Sequence, residues 1–583
     1  MHLTFTAIGI SGAPMKNDEH QEAPTDSTAI PLIVAVCGHR DLVAEDIPQI
    51  RVKVRKALEL IERSAKRVPL ILLTGLAEGA DQLVAEEALD RQWNVTAALP
   101  MPLADYLEDF AEGATRDAFL RIQRRCRQTV EMPWIAPAQH DHDIDSERDQ
   151  QYRDQGIFLV RHAQLVIALW DGQPQATDAT SGTAYVVDLC RNGPPPVEGE
   201  ILASPETTSL IQIPVRRRAQ PATLATPATE VPSDKLYKDV IKEFSRFNVA
   251  CRKYRRVNAG EILVSLNYLI PADVRDTLEP RDNALIAAYA NANSLSIGLR
   301  RRRDHAVAIV SCAVVMGAFF QATYGAIKEM PWLIAYAGAA ALAYGLYIFL
   351  FKLPLTQVGD RYIEYRAVAE GLRVQLFWQL SGVNDSVAEH YQYLIKTEVG
   401  WIREALRNMQ FLANPELSWK PLPRPAAVQA LTRRFWIDDQ EKYFLGTKVT
   451  SGKAAQCKSL KKGFDIAAGI ALGLGAILVA VAGSANFMSI PPEVKAAASA
   501  FSASFFLLGG VIKGYASAMG YAEQAVSYEM MGSLFRNARA VLDKFAGDLA
   551  IEEQCLFALG KFALAENASW LLMNRKNAFK VQN

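Results

Sequence analysis

The sequence predicts an α/β N-terminal domain built on a parallel sheet, followed by an all-α membrane domain with four transmembrane helices in two hairpins. Two observations carry this reading. From Leu32 to about Arg216, short β-rich runs alternate with amphipathic helices, an alternation that implies a mostly parallel sheet. Downstream, four long apolar stretches fall in two pairs, Ala306–Ile327 with Trp332–Phe351 and Ile466–Met488 with Ala496–Ile512.

At 583 residues the chain is too long for a single core, so several domains are expected. Its 63 Lys and Arg balance 63 Asp and Glu, and the pI is near 7.1, which argues against a dedicated nucleic-acid binder. A mean hydropathy of +0.02 is high for a chain with 22% charged residues; the apolar stretches account for it. The seven cysteines are scattered and form no CxxC pair, the usage of free thiols in a reducing compartment.

Residues 1–29 read as a disordered tail: 11–29 are polar, and the apolar patch Leu3–Ile10 lacks the basic start and cleavage site of a signal peptide. Within 30–216, Leu32–Val36 is the first strand. The helix after it sets Ile47, Ile50, Val54, Leu58 and Ile61 on one face. Leu70–Leu73, Val95–Leu99 and Leu165–Leu169 are the next three strands. Residues 217–233, rich in Pro, Ala and Thr, have a linker's composition.

From Asp234 onward the pattern is helical. Residues 234–410 form a first membrane module, 411–460 a cytoplasmic connector and 461–583 a second module. In the first module Val240, Phe244, Phe247 and Cys251 make one stripe, and Tyr362, Tyr365, Ala369, Leu372 and Leu376 repeat at coiled-coil-like spacing. Each module holds two spans and a tryptophan-bearing helix (Trp401, Trp570). A degenerate duplication and two unrelated hairpins both fit that layout.

A hydrocarbon core ~30 Å thick needs roughly 20 apolar helical residues, and three of the stretches reach that length. The fourth reaches it only if Lys513 snorkels and the helix runs on to Ala518, so the spans are placed at 306–327, 332–351, 464–488 and 496–518. Arg300–Arg303, Lys352, Lys461, Lys462 and Lys513 flank the spans on one side. The positive-inside rule then puts both termini and 352–461 in the cytoplasm. As an ionisable group close to the membrane, Lys513 is the gating or pore candidate, with interfacial snorkelling as the other reading.

Three loops at strand ends offer binding chemistry, since such loops form the crevice of open α/β sheets. The first is Gly38-His39-Arg40, where glycine admits a ligand and arginine makes forked phosphate contacts. The second is Thr74-Gly75-Leu76-Ala77-Glu78-Gly79-Ala80-Asp81, whose helix start offers free N–H groups to an anion. The third is Trp170-Asp171-Gly172 with Ser181-Gly182-Thr183. His140 and His142 among Asp141, Asp143 and Asp145 look metal-like but read as a solvated loop, so no metal site is expected.

The segments VAVCGHRDL (34–42), LLTGLAEGADQLVAEEAL (72–89), ALPMPLADYLEDF (98–110) and LVIALWDG with SGTAYVV (165–187) resemble the SLOG superfamily of Rossmann-like nucleotide-sensing domains. The resemblance implies a nucleotide pocket containing Gly38, Arg40, Thr74, Gly75, Leu76, Gly79, Asp81, Asp171, Gly182 and Thr183; His39 and Glu78 join the ligand-binding candidates by position. Related LOG hydrolases carry a PGGxGTxxE motif. Its glutamate position here is Val186, so the resemblance implies binding without catalysis.

The C-terminal half resembles the SLATT family of paired transmembrane helices, present twice over roughly 290–410 and 461–577. Together the two resemblances imply a nucleotide-gated, pore-forming effector of bacterial anti-phage defence in the inner membrane. Its implied partners are a nucleotide second messenger (an ADP-ribose derivative or cyclic oligonucleotide), the lipid bilayer, further copies of the chain and a nucleotide-producing enzyme. No cofactor beyond the nucleotide ligand is implied. A membrane-anchored nucleotide N-glycosidase of phosphoribohydrolase type and a metabolite-regulated ion channel are the alternatives.

Overall fold

The computed structural model describes residues 28–134, 144–174, 181–196, 207–219, 235–347, 358–391, 400–417, 419, 424–447, 451–484 and 490–576. Almost all of the predicted tail and linker lies outside these residues. So do residues 348–351 of the second predicted span, 485–488 of the third and the His140–Asp143 cluster.

The N-terminal part is a six-stranded, wholly parallel sheet. Its elements run β1 (Leu32–Gly38), α1 (Ile47–Ser64), β2 (Leu70–Thr74), α2 (Ala80–Asp90), β3 (Asn94–Leu99), α3 (Leu103–Tyr106), α4 (Ala114–Gln123), β4 (Gln128–Glu131), α5 (Ile144–His162), β5 (Leu165–Trp170), α6 (Thr183–Asn192) and β6 (Ser209–Pro214). The four predicted strands stand where the sequence put them, and β4 and β6 extend the sheet at its two edges. Strand order is β4-β3-β2-β1-β5-β6, so the chain reverses direction across the sheet between β1 and β5. Both faces are covered. Leu32, Val34 and Val36 pack with α1 and α2, while Ile33, Ala35 and Cys37 pack with α5 and α6. This two-sided cover explains why β1 reads as an unbroken apolar run.

The rest is helical: α7 (Lys235–Val257), α8 (Ala259–Leu269), α9 (Ala272–Arg275), α10 (Pro280–Ile327), α11 (Met330–Tyr347), α12 (Val358–Ser381), α13 (Val387–His390), α14 (Gly400–Ala413), α15 (Ala426–Thr432), α16 (Asp439–Leu445), α17 (Lys453–Ser484), α18 (Pro492–Met519), α19 (Tyr521–Lys544) and α20 (Leu549–Lys576). The sheet is not a detached module. The core beneath α1 and α2 continues through Tyr237, Val240 and Phe244 of α7 into the helical body.

At 48 residues, α10 is about 72 Å long. Its first half buries Ile286, Tyr289, Ala290 and Ala292 in the helical core, packed against α12; its second half packs on α11 and α18. Among the described residues, three helical stretches are long and apolar enough to cross a membrane: Pro280–Ala326, Lys453–Ser484 and Pro492–Lys544. The described part of the second predicted span is the 18-residue α11, which is not among the three. Ile309, Met316, Phe319, Ile470 and Ile477 point outward, as in chains whose solvent is lipid.

The third apolar stretch carries Gly469-x-x-x-Gly473, a spacing that permits close helix approach, but the membrane-side helices meet elsewhere. Gly469 and Gly473 have open space where side chains would stand. The close approach of α17 to α18 falls instead at Gly509, where an added Cβ would lie 2.8 Å from Leu472. Ser504 Oγ donates to the Ala318 carbonyl at 2.9 Å, so the small-residue face of α18 meets α10. The Tyr362–Leu376 seam, read above as coiled-coil-like, is consumed inside the chain. Tyr362, Tyr365, Ala369, Leu372 and Leu376 are all buried, with α12 enclosed by α10, α14 and α20.

Candidate ligand-binding cleft

At the switch point β1 and β5 run side by side, with Cys37 opposite Ala168 and Gly38 opposite Leu169. Their following loops diverge and leave a cleft of about 710 Å³. That lies within the usual ~300–1,000 Å³ range of small-molecule sites, in the place where open α/β sheets bind ligands. Of the predicted residues, Gly38, His39, Arg40, Asp81, Asp171, Gly182 and Thr183 line it. Thr74, Gly75, Leu76, Glu78 and Gly79 do not; they form the support behind it.

Two glycines let the β1 and β2 loops lie on one another. A Cβ on Gly38 would stand 2.3 Å from Ala80 Cβ and 2.9 Å from Leu169 Cβ. Gly79 sits at φ +84, and a Cβ there would meet the Arg40 carbonyl at 2.4 Å. The Ala80 N–H donates to the His39 carbonyl at 3.2 Å. The start of α2, expected to face an anion, is therefore occupied by the β1 loop. Below it, Thr74 Oγ1 accepts from the Leu76 N–H at 3.1 Å and donates to Asp81 Oδ2 at 3.4 Å. Leu76 pays for this turn with φ +54.

The open helix start belongs to α6. Gly182 has φ +91, and among the described residues nothing fills the space around its missing Cβ and no side chain caps the helix. The first-turn N–H groups of a ten-residue helix thus meet the cleft at Gly182, Thr183 and Ala184. Val186 is buried in the same wall.

Charge is arranged around this opening. Arg40 Nη2 donates to the Tyr152 hydroxyl at 2.8 Å and its guanidinium lies 5.1 Å from the Tyr152 ring centroid. Tyr152 in turn donates to Asp109, which is also bound by Arg148. Arg217 Nε donates to Asp41 Oδ1 at 2.9 Å and its Nη1 lies 4.0 Å from Asp171 Oδ2. His39 Nε2 is 3.1 Å from Asp171 Oδ1, close enough for an ion pair but poorly aligned as a hydrogen bond. Burial lowers the His39 pKa, with Asp171 opposing. Burial raises the Asp81 carboxyl to about 7, against the pull of the Ala77 N–H and the Arg40 charge.

Sequence reasoning missed Tyr152, Gln155 and Arg217. Arg217 opens the predicted linker, but residues just beyond β6 fold back: Leu42 and Arg217 form an antiparallel bridge, and the Arg218 N–H donates to the Asp41 carbonyl at 2.7 Å. Its signal was position, immediately after the last strand of a parallel sheet. Lys513 is far along the chain on α18, exposed and outside the cleft. No protein-family model matches the chain, and no curated protein matches it.

Proposed function

We propose that the chain is a nucleotide-gated membrane effector of bacterial anti-phage defence, of the kind that the SLOG and SLATT resemblances imply. A nucleotide second messenger enters the cleft, its phosphates at the α6 start between Arg40 and Arg217. Binding changes contacts in the helical body, and copies of the chain then assemble to breach the inner membrane. All four apolar stretches cross, with both termini and the sheet in the cytosol. For gating, the ligand must prefer the active state; tight binding to both states shifts nothing.

The observation that carries this reading is the physical continuity between cleft and membrane helices. The strands that bear the cleft are pinned to α14, α14 packs on α10, and α10 runs without a break into an apolar stretch. Proteoliposomes loaded with a self-quenched dye test it. An ADP-ribose derivative or a cyclic dinucleotide should release the dye and be recovered intact, and Arg40→Ala should abolish release. A protein that stays monomeric and leak-free with every such nucleotide would sink the proposal.

One observation favours a second reading, the nucleotide N-glycosidase. Asp81 is a buried carboxyl with a near-neutral pKa at the cleft, the condition of a general acid or base. Nucleotide turnover that vanishes in Asp81→Asn, without dye release, would decide for the enzyme.

A further inference from the structure

A second cavity, of about 460 Å³, opens within the helical body and shares no residue with the sheet cleft. Its charged lining consists of three arginines, Arg300, Arg366 and Arg373, against two carboxyls, Glu370 and Glu566, leaving one cation in excess. Arg373 is only 5% exposed. Its Nη1 donates to Gln440 Oε1 at 2.8 Å and lies 3.1 Å from Glu370 Oε2, and its Nη2 donates to the Tyr289 hydroxyl at 3.0 Å, but its Nε has no partner. Arg366 Nη1 donates to Asn293 Oδ1 at 2.8 Å, and its Nη2 pairs with the same Glu370. One carboxylate therefore serves two guanidiniums, and buried cations without full compensation are costly.

Glu566, the other carboxyl, accepts from the Ser527 hydroxyl; burial raises its pKa, Glu370 adds to the rise, and Ser527 and Arg366 oppose it. Facing the arginines are apolar and aromatic walls that include Tyr268, Trp436, Tyr443, Phe444 and Tyr528. The rim carries Val264, 69% exposed, and Tyr268, 45% exposed. Arg300 lies on α10 six residues before its apolar stretch begins at Ala306, which places this opening at the foot of the membrane-side helices.

We propose that this cavity binds a phosphate-bearing ligand with an aromatic or acyl body, the phosphate between Arg366 and Arg373 and the body along the aromatic wall. Guanidiniums match phosphate oxygens in forked pairs, and tyrosine and tryptophan faces take either a base or a chain. Such a ligand has two sources, a free nucleotide or an anionic lipid.

The test uses the full chain with two probes. AMP binding is measured by equilibrium dialysis in detergent, and phosphatidylglycerol retention by native mass spectrometry after passage through nanodiscs of equal parts phosphatidylcholine and phosphatidylglycerol. At least one probe should be held, and Arg366→Gln should weaken it about tenfold through loss of a charge-assisted contact. Val264→Glu, at an exposed rim position, should weaken it as well; AMP is measured with Arg40→Ala present in every protein compared, so that the sheet cleft contributes little to the binding read. AMP held alone identifies the free source, and phosphatidylglycerol alone the lipid. The proposal is overturned if neither probe is held, or if binding is the same with Arg366→Gln and Val264→Glu as without them.

Discussion

Gln164 and Asn408 exchange side-chain hydrogen bonds: Gln164 Nε2 donates to Asn408 Oδ1 at 2.9 Å, and Asn408 Nδ2 returns one to Gln164 Oε1 at 2.8 Å. Both residues are buried. Gln164 lies just before β5, and its Oε1 also accepts from the Ile33 N–H of β1 at 3.1 Å. Asn408 Nδ2 reaches the Pro31 carbonyl at 2.8 Å as well. A single amide pair thus grips the N-terminal ends of the two strands whose other ends form the cleft. Asn248 of α7 makes a similar reciprocal pair with the Ile30 backbone.

Asn408→Ala should therefore lower stability by about 1–3 kcal/mol, because it removes three buried hydrogen bonds, to the Pro31 carbonyl and to both ends of the Gln164 amide, which keeps the Ile33 N–H and Glu404. The thermal midpoint of the purified protein reads this. The cleft residues are untouched, so nucleotide affinity should hold while nucleotide-triggered dye release falls. An unchanged midpoint would show that water replaces the amide without loss.

Arg40→Ala and Gly79→Val should separate binding from architecture. Arg40→Ala removes a charge-assisted contact and should weaken a phosphorylated nucleotide about tenfold to a hundredfold, with normal yield. Gly79→Val places a branched side chain at φ +84, against the Arg40 carbonyl. Loss of folded protein is expected there, not a selective loss of binding. Isothermal titration together with the yield of monodisperse protein checks both, and a well-folded Gly79→Val would contradict the packing described.

The central strands were legible because β1 and β5, buried on both faces, keep apolar side chains at nearly every position. The edge strands were not. β4 reads Gln-Thr-Val-Glu, with only Val130 buried, and β6 alternates and ends at Pro214, a pattern that matches a loop as well as an edge. At the cleft, the glycine turns announced themselves but their division of labour did not. Whether Gly79 faces ligand or Arg40 depends on a contact between residues 39 positions apart. Tyr152 and Gln155 sit in a run of charged and amide residues whose local pattern is that of a solvated helix. Only the sheet's geometry turns that face toward Arg40 and Gly75.

The membrane topology has a sharp test because three crossings and four place the C-terminus on opposite sides. α11 follows α10 after a two-residue connection and packs back along it, and α12 then rejoins the first half of α10. In the proposed topology, a chain that crosses on α10 and returns beside it brings α11 back across. Reporters fused to either end should both score as cytoplasmic. A periplasmic C-terminal reporter would remove α11 from the spans.

Asp81 should give the protein a pH signature. Its carboxyl has a folded pKa of about 7 against an ordinary 3.8, chiefly through burial. The fold thus favours the protonated form, and that contribution is complete below pH 3.8 and is lost as pH rises towards 7. Asp81→Asn keeps the shape without the titration, so its thermal midpoint should depend less on pH across this window than the native chain's. Binding should follow the same sign. Above pH 7 a carboxylate at the cleft repels a phosphate, and nucleotide affinity should fall with rising pH in the native chain and stay level in Asp81→Asn. Parallel pH profiles for the two proteins, in both midpoint and affinity, would mean that Asp81 is ionised throughout, held by Arg40 and the Gly75 and Ala77 N–H groups against the cost of its burial.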